Sequence, residues 1–164
     1  MKILFIQTGG TIDKNYPKTN AGYAFEIDEP AVSRVLEKSF IGFEYEVVSL
    51  FRKDSLDVND QDRSVLKAFL ESTEHDKIII SHGSDTMPET ASFVGKIPGK
   101  TIVFTGAYLP ERFKESDADF NIGVAVGSVN VLTEGTFIAM NGKLMSPESC
   151  FKDAVSGLFE TKEI

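Results

Sequence analysis

Short apolar runs alternate along the chain with longer segments in which apolar residues recur every three or four positions. The apolar runs predict five strands, at 2–7, 44–51, 77–82, 100–105 and 136–140. The helical spacing predicts four helices, at 30–39, 60–72, 88–94 and 117–132, with Asn59 capping the second and Pro88 in the first turn of the third. Strands that are apolar on both faces and separated by helices need crossover connections. The predicted fold class is therefore α/β: a doubly wound, mostly parallel sheet with helices on both faces, a three-layer sandwich.

Ligands of such sheets bind outside the carboxyl ends of the strands, so the strand ends are where chemistry is expected. Three ends combine glycine with hydroxyl or carboxylate side chains: Thr8-Gly9-Gly10-Thr11, His82-Gly83-Ser84-Asp85-Thr86 and Thr105-Gly106-Ala107. Glycine at two successive positions allows a sharp turn near a ligand, with the Thr11 hydroxyl as a candidate nucleophile and backbone N–H groups as an anion cradle. The plain alternative is a tight turn. Neither a P-loop nor a dinucleotide-binding fingerprint follows the first strand.

The second of these ends places a hydroxyl beside a carboxylate, at Ser84 and Asp85. A nearby cation would polarise such a pair, although Ser-Asp at a strand-to-helix junction is also an ordinary helix N-cap. The segment 13–25 predicts a long polar loop, of the kind that often serves as a lid beside a ligand site.

Composition and charge mainly narrow the classes of partner. The chain has 164 residues, enough for one domain with its own core, and 17 basic against 25 acidic residues give a net charge of −8. This charge argues against a nucleic-acid partner. The apolar runs are too short for a membrane span and the N-terminal run too short for a secretory signal, so we expect a cytoplasmic protein.

Two histidines and one cysteine are too few for a zinc site; we expect His82 and Cys150 to pack internally. The acidic stretch 57–62 predicts a charged helix start, since it lacks the glycine and the glutamate of a calcium loop.

The ordered motifs resemble a known family. Thr8-Gly9-Gly10-Thr11-Ile12 and His82-Gly83-Ser84-Asp85-Thr86-Met87 are similar to the TGGTI and HGTDTM signatures of the bacterial-type L-asparaginases. Residues 54–58 are similar to that family's substrate loop, 105–110 to its TGAMRP motif, and Asp117 with Phe120-Asn121 to its DGPFN motif. The resemblance implies that residues 1–164 form one asparaginase-like catalytic domain, the family's larger domain, without its smaller C-terminal domain. It implies no cofactor.

The same resemblance assigns roles to individual residues. It implies that Thr11 is the nucleophile and that Ser84, Asp85 and Lys152 form a hydroxyl, carboxylate and ammonium triad. Tyr23 corresponds best to the family's lid tyrosine, with Tyr16 as the second choice. The substrate-binding residues implied are Gly10, Asp54, Ser55, Gly83, Ser84 and Asp85. For Lys152 and Ser55 the residues alone leave open a surface lysine and a helix-capping serine, and the chain departs from the family pattern at Ser84, Leu56 and Leu109.

The expected function is hydrolysis of the side-chain amide of L-asparagine to L-aspartate and ammonia through a threonine acyl-enzyme. The expected partner is a small amino-acid amide. Because the site would otherwise be open to water, we also expect a homodimer or higher homo-oligomer. Two alternatives remain open: an amino-acid-binding module without catalysis, and a glutaminase or amidotransferase-type amidase subunit.

Overall fold

The computed structural model describes residues 2–162, which form a central sheet, four α-helices and three small strand pairs. The strands are β1 Lys2–Gly9, β2 Lys14–Asn15, β3 Lys18–Thr19, β4 Gly22–Tyr23, β5 Glu26–Ile27, β6 Glu44–Lys53, β7 Lys77–Ser81, β8 Thr101–Thr105, β9 Gly135–Met140, β10 Lys143–Met145, β11 Cys150–Lys152 and β12 Phe159–Thr161. The helices are α1 Ala31–Glu37, α2 Asp60–Ser72, α3 Met87–Val94 and α4 Ala118–Val131. Two short 3-10 turns are called here the Thr11 turn (Thr11–Asp13) and the Ser55 turn (Ser55–Asp57).

The central sheet has the strand order β10-β9-β8-β7-β1-β6, and its five long strands are parallel, with β10 antiparallel at one edge. Taken in chain order, the parallel strands follow the 2-1-3-4-5 arrangement of doubly wound sheets. The order of connection reverses between β1 and β7, so the crevice expected to hold a ligand lies at the carboxyl ends of these two strands.

Alternating side chains of the buried strands supply two separate cores. Ile3 and Phe5 of β1 face α1 and α4, whereas Leu4 and Ile6 face α2 and α3. Each of these four side chains is at most 2% exposed. Because a strand can only bury both faces when both are covered, this arrangement confirms the predicted three-layer fold class.

The helices agree with the sequence predictions to within a few residues. The second helix begins and ends where the spacing placed it, and Asn59 and Asp62 form a reciprocal capping box at its start. The acidic stretch therefore begins a helix, as predicted. Pro88 lies in the first turn of α3, also as predicted. No helix within residues 2–162 combines the length and apolarity that crossing a bilayer requires.

Two regions differ from the sequence-based expectations. The segment expected to be a long loop is folded into short antiparallel ladders, with β2 paired to β5 and β3 to β4. We call residues 14–27 the lid hairpin, after the lid role predicted for the overlapping segment 13–25. After β9 the chain forms three strands that the patterning did not predict, because each is three residues long and shows no clear alternation. The first follows a tight turn at Asn141-Gly142, where both residues have positive φ.

Candidate functional site

The ends of β1 and β7 touch through glycine. Gly9 and Gly10 have φ of 108° and 92°, a backbone region that only glycine enters readily. A Cβ on Gly10 would lie 2.4 Å from Cα of Gly83. The Thr11 turn therefore starts directly beside the His82-Gly83-Ser84-Asp85 strand end, at the switch point of the sheet.

The Ser55 turn, which follows the end of β6, packs onto Gly83. A Cβ on Gly83 would lie 2.6 Å from both Cβ and Oγ of Ser55, and the Thr86 hydroxyl donates to the Ser55 carbonyl at 2.8 Å. Ser55 is only 2% exposed. The structure thus brings the three predicted substrate-binding positions Gly10, Gly83 and Ser55 into one contact.

The hydroxyl, carboxylate and ammonium of the predicted triad are in direct contact. Lys152 Nζ lies 3.0 Å from Ser84 Oγ and 2.6 Å from Asp85 Oδ1. The Lys152 side chain is 27% exposed and that of Asp85 47% exposed, so the cluster opens to solvent on one side. An ammonium that donates to a serine oxygen makes that hydroxyl a better proton donor, and the neighbouring carboxylate holds the ammonium in place.

Thr11 differs in burial from the two residues that follow it. Thr11 is partly exposed, whereas Ile12 and Asp13 are buried. The turn therefore leaves the Thr11 side chain accessible while the rest of the turn is fixed in the core. This is the arrangement that a side-chain nucleophile needs.

Asp54, a predicted substrate-binding residue, already has protein partners. It caps the Ser55 turn by accepting from the Leu56 N–H, and its carboxylate lies 2.9 Å from Lys14 Nζ. The Lys14 ammonium holds the pKa of Asp54 below its ordinary range. These contacts join the base of the lid hairpin to the Ser55 turn; direct binding of substrate by Asp54 stays a prediction.

The two candidate lid tyrosines occupy different environments. Tyr23 lies on β4 and is 75% exposed. Tyr16 lies near the start of the lid hairpin, with its ring centroid 5.8 Å from that of Phe113 and 6.4 Å from that of Phe25. Neither ring is hydrogen-bonded to the triad in the part of the chain that the structure describes, and the assignment of Tyr23 stays a prediction.

His82 and Cys150 pack internally, as predicted. His82 is 1% exposed, its Nδ1–H donates to the Gly83 carbonyl at 2.8 Å, and burial lowers its pKa to about 4. Burial likewise raises the pKa of the Cys150 thiol to about 11. Both side chains are therefore neutral at physiological pH. Residues 2–162 contain no group of three His, Cys, Asp or Glu side chains arranged to hold a metal ion.

Sequence reasoning missed Asp13, the last residue of the Thr11 turn. Its carboxylate accepts from the Ala31 N–H at 2.7 Å and so caps α1, while its other oxygen, Oδ2, is buried without a hydrogen-bond partner. Burial raises the pKa of Asp13 to about 7. No local signal marked this burial, because the polar residues that follow Asp13 indicate an exposed loop.

Asp117 and Asn121, which the sequence singles out by their likeness to the DGPFN motif, form a polar network behind the strand end at Thr105-Gly106-Ala107. Asp117 accepts from the backbone N–H groups of Tyr108 and Leu109 at 3.0–3.1 Å. Asn121 donates to the Gly106 carbonyl at 3.0 Å and to Asp117 at 2.8 Å. This network fixes the backbone around Tyr108.

The fold and the site together define a class: a doubly wound α/β protein whose switch-point crevice holds a threonine turn beside a hydroxyl, carboxylate and ammonium cluster. Residues 2–159 match the family described as Asparaginase, N-terminal. The chain belongs to the asparaginase family.

Individual relatives agree with this membership. The chain is 31% identical over 157 residues to an L-asparaginase of Thermococcus kodakarensis, a match that covers 88% of this chain and 45% of that protein. It resembles the solved thermostable L-asparaginase from Thermococcus kodakarensis with a TM-score of 0.82 and 26% identity, over 98% of this chain and 51% of that one. It also resembles the probable cytoplasmic L-asparaginase from Campylobacter jejuni with a TM-score of 0.76 and 25% identity, again over 98% and 51%. The chain thus spans about half the length of these relatives.

Proposed function

We propose that the protein hydrolyses the side-chain amide of L-asparagine to L-aspartate and ammonia, with Thr11 as the nucleophile. The observation that carries this proposal is the hydrogen-bonded cluster of Lys152, Ser84 and Asp85, which stands beside the Thr11 turn across the contact between Gly10 and Gly83. The names of the L-asparaginase relatives support the same substrate.

The reaction proceeds in two steps. The Thr11 oxygen gives up its hydroxyl proton and forms a bond to the amide carbon, the carbon–nitrogen bond breaks, and the nitrogen gains one proton and leaves as ammonia. Water then hydrolyses the resulting ester and restores the threonine. The backbone N–H groups of Thr11 and Ser84 are suited to stabilise the negative charge that develops on the amide oxygen.

The triad supplies the proton path. The Ser84 hydroxyl, made more acidic by the Lys152 ammonium, gives its proton toward the leaving nitrogen and takes up the proton that Thr11 loses. When water attacks the ester, the same relay carries a proton from the water back to the Thr11 oxygen. Asp85 holds the Lys152 ammonium in place, and its exposed carboxylate is available to the α-ammonium of the substrate. In this proposal Gly10, Asp54, Ser55 and Gly83 shape the substrate pocket, and Tyr23 closes it from the lid hairpin.

Comparison of the natural chain with Thr11→Ala tests the proposal. Loss of the nucleophile is expected to lower the rate of ammonia release from asparagine by about 10³-fold or more. Thr133→Ala, the same chemical change outside the site, is the matched control and is expected to keep the parental rate. Equal rates for the natural chain and Thr11→Ala would refute the mechanism.

A substrate panel separates the proposal from its rivals. Glutamine tested beside asparagine distinguishes a glutaminase, and calorimetry that detects asparagine binding without ammonia release would instead indicate a binding module. We further propose a cytoplasmic location, supported by the name of the Campylobacter jejuni relative. Self-association is part of the same proposal, supported by exposed apolar side chains such as Phe40, Phe120 and Val131.

A further inference from the structure

Lys152 reaches the site from outside the central sheet. It is the last residue of β11, which pairs only with β12 in a two-stranded ladder within the described residues. Cys150, the first residue of β11, and Phe159, the first residue of β12, are 7% and 0% exposed and anchor this hairpin in the core. The connecting turn between them is exposed, with Val155 97% exposed. The position of the Lys152 ammonium therefore depends on what ties this hairpin to the sheet.

Tyr108 supplies such a tie. Its hydroxyl lies 2.6 Å from the Gly157 carbonyl, in the turn of the hairpin, and 3.1 Å from Asn141 Oδ1. The Phe159 N–H donates to the same Asn141 oxygen at 3.0 Å, which fixes the orientation of the amide. The Tyr108 hydroxyl has one proton and two possible acceptors, and the Gly157 carbonyl is closer to it than Asn141 Oδ1.

The same tyrosine contacts the ammonium directly. Lys152 Nζ lies 5.6 Å from the centroid of the Tyr108 ring, a cation–π distance. The backbone of Tyr108 is itself held by the carboxylate of Asp117. One end of this side chain is therefore rigid, its ring faces the Lys152 ammonium, and its hydroxyl holds the turn that follows β11.

We propose that Tyr108 is a positioning residue, which holds the β11–β12 hairpin so that Lys152 contacts Ser84 and Asp85. The tyrosine stands where the TGAMRP motif of the family has methionine, a residue that could not form the hydroxyl contacts. The effect of Tyr108 on catalysis rests on the proposed function, whereas its effect on the position of Lys152 does not.

The test uses Tyr108→Phe, which removes the hydroxyl and keeps the ring. The matched control is Tyr45→Phe, the same change on a tyrosine whose ring packs on Phe5 at the far side of the sheet. In each chain the lysines are modified with an amine-reactive acylating reagent, and the extent at each position is read by mass spectrometry. Lys96, which is 67% exposed, serves as the internal standard.

The expected result is that Lys152 of Tyr108→Phe is acylated several-fold faster than in the parent, because it leaves Asp85 and Ser84 more often. Tyr45→Phe and the Lys96 standard should not change. An unchanged rate at Lys152 would overturn the proposal. Circular dichroism of each variant shows whether it is folded before labelling.

Kinetics provide a second readout where the parent releases ammonia. Tyr108→Phe should lower kcat about tenfold, the effect of one lost hydrogen bond, with a smaller change in KM. A rise in KM at constant kcat would contradict the proposal that Tyr108 positions the proton-transfer group. If the parent shows no hydrolysis, the proposed function fails, while the labelling rates still decide the role of Tyr108.

Discussion

Asp13 makes the stability of the protein depend on pH in a direction unusual for an aspartate. The carboxyl is fully buried, and burial raises its pKa from the ordinary 3.8 to about 7. The Ala31 N–H, the Gln7 amide, the Arg34 guanidinium and the Ser81 hydroxyl all favour the anion, but they offset only part of the desolvation. The folded protein therefore holds a proton on Asp13 that the unfolded chain releases near pH 4.

The sign of the effect follows from proton binding. Between pH 4 and 7 the folded state binds more protons than the unfolded state, so this group lowers the free energy of unfolding as pH rises and has no further effect above the folded pKa. Because each pKa unit corresponds to about 1.4 kcal/mol, the whole effect is about 4 kcal/mol. Roughly 2–3 kcal/mol of it falls between pH 5 and 8.

Asp13→Asn isolates this contribution. Asparagine cannot titrate, and its side-chain oxygen can still accept from the Ala31 N–H and cap α1. Urea unfolding at pH 5, 6, 7 and 8 should show the variant gaining stability relative to the parent by about 2–3 kcal/mol over this interval. Taking the difference at each pH cancels the titration of the other carboxylates.

Asp57→Asn provides the matched control, since Asp57 is exposed on the surface of the Ser55 turn. This variant shows how the same substitution changes stability at a solvent-exposed position. A pH-independent difference between Asp13→Asn and the parent would refute the reasoning, because it would mean that Asp13 is ionised in the folded state throughout this range.

Two further predictions concern the site and the assembly. Gly83→Ala should destabilise the protein by about 1–3 kcal/mol and abolish hydrolysis, because the new Cβ would lie 2.6 Å from Ser55; urea unfolding and ammonia release measure both. Gly42→Ala, with open space around its Cβ, is the control, and equal effects of the two changes would contradict the steric argument. Light scattering at micromolar concentration should show a dimer or larger species, and a monomer would count against self-association.

The parts of the fold that the sequence could predict are those set by local patterning. The apolar triplet of Ile78, Ile79 and Ile80 predicted a buried strand, and all three side chains are buried in the sheet. Asn59, placed before a helical repeat, could be recognised as a cap without knowledge of any distant contact. Where local signals and burial agree, the predicted and observed elements agree closely.

The site was predictable only in part, because its contacts join distant segments. The glycines at positions 9 and 10 indicated a sharp turn near a ligand, but not that Gly10 would contact Gly83. Asp13 escaped notice because its burial results from the docking of α1, 18 residues further along the chain. Its raised pKa is a tertiary effect that no local pattern encodes.

Lys152 shows most clearly how the site depends on structure far from the motifs. It contacts Asp85 across 67 residues of chain, from a hairpin whose strands are three residues long and could not be stable alone. The burial of Phe159 and the contacts of Tyr108 replace the missing length of the ladder. The position of the ammonium therefore depends on the β11–β12 hairpin and on Tyr108, and substitutions there should alter the site without touching Thr11, Ser84 or Asp85.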